Sequence, residues 1–129
     1  MSIPVKAKVR AVPNFLACLR GARGFLVEQD AASAPGRFEK LQAELVNARG
    51  PLSFAPTSGR PARFLDAKTG WGQFQSQQAV QLAKALDMPE LRELVLARHV
   101  VLYAHSERDV LLLLLSLRHE RQFGYRLAM

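Results

Sequence analysis

Two short stretches of the 129-residue chain concentrate the residues that can bind anions or move protons: Arg98 and His99 in "LARHVV", and Arg118, His119, Glu120 and Arg121 in "LRHERQ". Cleaving RNA through its 2′-hydroxyl needs a base, an acid, and cations for the charge that grows on the phosphorane. Arg98, Arg118 and Arg121 have the charge for the last role, His119 for the acid and Glu120 for the base. His119 and Glu120 are neighbours on what reads as extended chain, however, so they project to opposite faces. Without an acid–base pair, Arg98, Arg118, His119 and Arg121 still make an anion- or target-binding cluster. Its self-repulsion is relieved by an acidic partner. His99, His105 and His119 lack the spacing of a local ligand set and Cys18 is remote in sequence, so no metal is expected. "GPLSFAPTSGRP" lacks the Lys-Ser/Thr ending of a phosphate loop. No cofactor is expected either.

The elements that must carry these residues follow from periodicity. Val5, Ala7, Val9 and Ala11 alternate with Lys6, Lys8 and Arg10, the period of a strand with one buried face, which Pro13 ends. Asn14 is placed to cap a helix bearing Phe15, Leu19, Ala22 and Leu26. A second helix starts near Ser33 and carries Phe38, Leu41, Leu45 and Val46, making an αα-hairpin. "RGPLSFAPTSGRPARFLD" reads as an irregular connection. The segment after it, with Phe74, Val80, Leu82 and Leu86, predicts a short surface helix ending before Pro89, anchored by Trp71 packing on the body rather than stacking on a base.

From Leu91 the pattern is a three-stranded meander. Its strands lie in "LRELVL", "HVVLYAH" and "VLLLLLSLRH", with turns at Ala97-Arg98 and Ser106–Asp109. With the second turn so placed, His105 faces Val110, Tyr103 faces Leu112 and His99 faces Ser116, which brings Arg98 beside Leu117 and Arg118. The last strand is apolar on both sides and so should be central and covered above and below. Alternation puts Leu111, Leu113, Leu115 and Leu117 on one face, and Val110, Leu112 and Leu114 on the other. A single helix hairpin covers one face. The second needs the 66–90 segment, another copy of the chain, or a partner. The expected architecture is α+β: an N-terminal strand, an αα-hairpin and a three-stranded antiparallel meander in one sheet, with an extra short helix before the meander, all one domain over 1–129.

Composition narrows the class. Apolar residues make up 49 % of the chain, too many for a disordered protein. The net charge is +7, and thirteen of the eighteen cations are arginine, whose planar fork suits phosphates and carboxylates. Such a charge points to nucleic acid, an acidic protein or an anionic membrane as partner. The apolar run at 110–117 is far short of the roughly 20 residues of a spanning helix, so no membrane role is expected. The N-terminus "MSIPVKAKVRAV" has no signal-peptide core, and a lone Cys18 fits a reducing, cytoplasmic setting.

The order of these parts resembles the RelE/ParE superfamily of bacterial type II toxins, also called plasmid stabilisation proteins. The resemblance spans nearly the whole chain. It rests on the "PTSGRPARFL" loop after the second helix, the "RELVLARHVVLY" hairpin and a last strand ending in His119-x-Arg121. The 66–90 stretch departs from it, being longer than the family's usual link, and reads as an insertion. The resemblance implies a toxin neutralised by a cognate acidic antitoxin, through which it oligomerises, with the antitoxin on Leu111, Leu113, Leu115 and Leu117. "RHERQ" is closer to the ParE-like side, whose members inhibit DNA gyrase. The RelE-like alternative is a ribosome-dependent mRNA interferase, and there Arg118, His119 and Tyr125 are the implied catalytic set. A non-toxic, basic nucleic-acid-binding module stands further back, since no recognition helix with a basic face is evident.

Overall fold

The structure, a computed structural model, describes residues 6–62, 70–88, 90–122, 124–125 and 127, with the backbone alone for 70–76. Expectations for Val5 and for the side chains of Trp71 and Phe74 lie outside the described residues. The chain is α+β, in the order β1 (Lys8–Ala11), α1 (Pro13–Gln29), α2 (Ala34–Phe54), β2 (Arg60–Pro61), α3 (Gly70–Leu86), β3 (Glu90–Val95), β4 (His99–Ser106) and β5 (Leu111–His119). One open sheet runs β1-β5-β4-β3-β2. The meander β3–β4–β5 is antiparallel as expected, and β1 lies parallel to β5, with Val9 opposite Leu112.

Several local expectations are revised. Asn14 does not cap α1. Val12 occupies the cap position with Pro13 following, where a missing N–H costs nothing. Asn14 is buried instead and donates from Nδ2 to the Leu115 carbonyl at 2.9 Å. The helix expected to stop before "RGPLSF" runs through Pro51 to Phe54. An interior proline costs about 3 kcal/mol of helix stability. It is tolerated because the last turn buries Leu52 against Ala7, Tyr103 and Leu112, worth about 1.5–3 kcal/mol, and ties Ser53 to Ala7 through two hydrogen bonds. The "GRP" loop, expected to be irregular, adds β2, a two-residue strand at the sheet edge on β3, where a proline is tolerated.

The turn before β5 is Glu107–Val110 rather than Ser106–Asp109, with Val110 in the left-handed region at φ 51°. The pairing therefore differs from expectation: His105 lies opposite Leu112, Tyr103 opposite Leu114, and His99 opposite His119. A bulge adds to the shift, because Tyr103 pairs with Leu114 while Leu102 pairs with Ser116, leaving Leu115 unpaired. The Asn14 side chain bonds the carbonyl of that unpaired residue.

Both faces of the sheet are covered within the chain. On one, α1 and α2 pack Phe15, Leu41 and Leu52 against Val101, Tyr103, Leu112 and Leu117. On the other, α3 packs Ala79, Leu82, Ala83 and the following Met88 against Leu91, Val100, Leu102 and Leu115. Within the 66–90 segment, α3 and Met88 thus cover the second face.

The Met88 N–H bonds the Ala83 carbonyl and the Asp87 N–H the Lys84 carbonyl, a Schellman closure with Asp87 at φ 53° where glycine is preferred. Asp87 also pairs with Arg108 at 2.8 Å, but both side chains are largely exposed and such pairs contribute little. Asp87→Gly is expected to raise the unfolding free energy by about 0.5–1 kcal/mol, read from the urea midpoint. A fall would mean that the exposed ion pair outweighs the backbone strain.

Candidate functional site: a buried histidine pair beside an arginine groove

The strand-end cluster divides between the two sheet faces, and the bulge at Leu115 decides the division. A one-residue slip reverses every side chain beyond it. Leu111, Leu113 and Leu115 therefore belong with the α3 core, while Leu117 sits with Phe15 and Leu41 under α1. The four leucines expected to form one antitoxin-binding face do not share a face. Leu115 and Leu117 are buried within the chain, and Leu111 and Leu113 are half-buried against the α3 cluster.

His119 lies two residues beyond Leu117 and projects to the α1 side. Its ring stands 5.1 Å from that of Phe25 and 5.0 Å, edge to face, from that of His99, its partner across the strands. Both imidazoles are buried, at 3 % and 4 % exposure. His119 Nδ1 accepts the Arg121 backbone N–H at 3.1 Å, and the Gln122 side chain accepts the His119 backbone N–H. Burial, and the nearness of His119, hold His99 down to about 4. Burial is also the main cause that lowers His119, against the opposing pull of Glu120. Both rings are neutral at pH 7.

Arg118 projects the other way. Its guanidinium stands 5.3 Å from the Tyr125 ring centroid and reaches the Gln122 carbonyl. Tyr125 is buried in the α3 cluster and its hydroxyl donates a short hydrogen bond to Glu93, itself 2 % exposed and also bonded by Arg60 Nε at 3.3 Å. Burial and the Glu93 carboxylate push the Tyr125 hydroxyl far above its ordinary value. Arg118 and Tyr125 come together, but His119 lies across the sheet from them. The set implied for an mRNA interferase does not converge.

Arg98 and Arg121 do converge. Arg98 occupies the tight β3–β4 turn, where its carbonyl accepts the Glu120 N–H, so it lies beside Glu120 rather than Leu117 and Arg118. Its side chain pairs with Glu120 at 2.9 Å and holds that carboxyl below the usual range. With Gln29 and Arg37 from the helix hairpin, Arg98, His119, Glu120 and Arg121 line an open groove of about 510 Å³. Three guanidinium groups face one carboxylate, so the groove keeps a positive excess.

Sequence reasoning missed Arg37 and Phe25, which the helix hairpin delivers from far along the chain, and Glu93, an acidic residue on an ordinary strand. None carries a local signal, because the first two matter only once α1 and α2 dock on β5. Among the described residues, no three His, Cys, Asp or Glu side chains are grouped to hold a metal ion. No helix among them is long and apolar enough to cross a membrane. No protein-family model and no curated protein sequence matches the chain.

Proposed function

We propose that this protein is the toxin of a bacterial type II toxin–antitoxin pair, on the ParE-like side, acting in the cytoplasm as a protein inhibitor of DNA gyrase and neutralised by an acidic antitoxin. The observation that carries the reading is the contrast between its buried and its exposed polar groups. The side chains that would transfer protons, His119 and Tyr125, are 3 % and 6 % exposed and lie on opposite faces of the sheet. The arginines that bind without chemistry, Arg98 and Arg121, meet Arg37 in an open groove. A groove of this kind recognises carboxylates or phosphates on a partner by charge-assisted hydrogen bonds. The net charge of +7 favours an acidic antitoxin. With Leu115 buried under α3 and Leu117 under α1, the antitoxin docks elsewhere than on these two.

One paired assay tests the reading. The purified chain is expected to inhibit gyrase supercoiling and to leave ribosome-bound message intact. Arg98→Glu and Arg121→Glu should each weaken inhibition by about tenfold or more, since reversing a charge in contact with a partner costs over 1 kcal/mol. Arg10→Glu, on the exposed side of β1, should change it by less than about twofold. Codon-specific cleavage in a translating extract, lost in His119→Ala or Arg118→Ala, would reverse the choice in favour of the RelE-like mRNA interferase. Equal loss in all three charge-reversal variants would reduce the groove to part of a diffuse basic surface.

A further inference from the structure

A second cavity, of about 230 Å³, opens beneath α1 and has one lining residue, His119, in common with the arginine groove. Its polar lining is unusual. His99 and His119 both border it, both are at least 96 % buried, and the Nε2 atom of each has no hydrogen-bond partner among the described residues. Buried polar atoms are nearly always bonded, and two orphans on one cavity are a reason to look for a ligand.

The chemistry of that ligand follows from the tautomer. His119 Nδ1 accepts the Arg121 N–H, so in the neutral ring the proton sits on Nε2. That nitrogen is a donor and has no lone pair for a metal, which leaves a hydrogen-bond acceptor as its partner. The remaining walls are mixed: Phe25, Ala17, Ala22 and Leu117 are apolar, Cys18 and the exposed Gly21 lie along α1, and Gln122 and Gly124 close the other side. Among the described residues no lysine or arginine lines this cavity, so a bare anion gains little by leaving water for it. A flat heterocycle does gain, because it presents acceptor atoms at its edge and π faces to Phe25 and the imidazoles. The groove that shares His119 with this cavity supplies three guanidinium groups, those of Arg37, Arg98 and Arg121.

We propose that the two cavities form one site for a nucleoside phosphate. The base lies in the slot and accepts a hydrogen bond from His119 Nε2–H, and the phosphate lies in the groove on Arg98, Arg121 and Arg37. The site is a property of the chain alone and does not depend on the toxin reading. Its test uses no gyrase, ribosome or antitoxin, so either idea can fail without the other.

The test is calorimetric titration of the full chain with the 5′-monophosphates of adenosine, guanosine, cytidine and uridine, with each free nucleoside, and with inorganic phosphate. At least one nucleotide is expected to bind about tenfold more tightly than both its nucleoside and inorganic phosphate. The same nucleotide should slow alkylation of Cys18, whose thiol borders the slot. Arg121→Gln should bring nucleotide affinity down to that of the nucleoside. Gly21→Leu should weaken binding about tenfold by crowding the slot's mouth while leaving the urea midpoint unchanged or higher, since a Cβ at Gly21 meets nothing within 4 Å and leucine is the better helix former. The control Arg10→Glu should bind as the parent does. Inorganic phosphate binding as tightly as every nucleotide, nucleotide binding that leaves Cys18 unprotected, or no binding of any nucleotide would each overturn the proposal.

Discussion

Alanine at position 59 is expected to destabilise the fold by about 3 kcal/mol, a loss that the urea midpoint will report directly. Gly59 sits in the "GRP" loop, donates its N–H to the Tyr103 hydroxyl at 3.0 Å and accepts from Arg92 at 2.8 Å. Tyr103 is fully buried and its hydroxyl donates a hydrogen bond to the Pro56 carbonyl. A Cβ on residue 59 would stand 2.5 Å from that hydroxyl and 2.7 Å from the Glu93 carbonyl oxygen, and the second of these is main chain that cannot swing away. Either the loop lifts from β3 or Tyr103 leaves its place at the centre of the sheet. Both routes lose the Tyr103 hydrogen bonds and open a packed core. Gly36→Ala is the control: a Cβ there meets nothing within 4 Å in the first turn of α2, and the change should be neutral or stabilising by up to about 1 kcal/mol. Equal effects of the two substitutions would show that the loop is not held by the close approach of Gly59.

The second large effect is with pH. His99 has an ordinary value near 6.5 when unfolded and is held to about 4 in the fold. Unfolding therefore takes up a proton between these values, and stability that is fully present above pH 6.5 is lost as pH falls toward 4. The loss is about 2–3 kcal/mol. Glu44 and Glu120 oppose it, while Arg37 and His119 reinforce it. His119 shifts in the same direction, mainly through burial, so acid would place two like charges on rings 5.0 Å apart. His99→Phe keeps a ring against His119 and removes the titration. Between pH 7 and 4 the parent should lose about 2–3 kcal/mol more than this variant, measured by urea unfolding at each pH. Parallel curves would mean that His99 is not held neutral by the fold.

Much of the architecture was legible because it rests on local periodicity. The alternation from Val9 to Ala11 and the apolar spacing of Phe15, Leu19 and Leu26 follow from side-chain direction along a strand and a helix. So does the division of the C-terminal third into three strands, and the two-residue turn Ala97-Arg98 was placed as the structure has it. The extra helix in the 66–90 segment was also foreseen, and with it one of the ways of covering the second face. Breaker residues misled where burial overrode them. Pro51 suggested a loop, but burying Leu52 holds the helix together for another turn.

The sequence by itself determined that Arg98, His99, Arg118, His119 and Arg121 would gather at one end of a sheet, because a meander with short turns must bring alternate strand ends together. Only the tertiary structure decided which of them work together. The bulge at Leu115 has no signature in an unbroken run of leucines, where every register buries apolar side chains equally well. It is selected by what packs on the strand: Asn14 of α1 satisfies the carbonyl that the bulge frees, and Leu117 turns into the core under Phe15 and Leu41. That single extra residue reverses the faces beyond it, sending His119 beneath α1 beside His99 and Arg118 across the sheet to Tyr125.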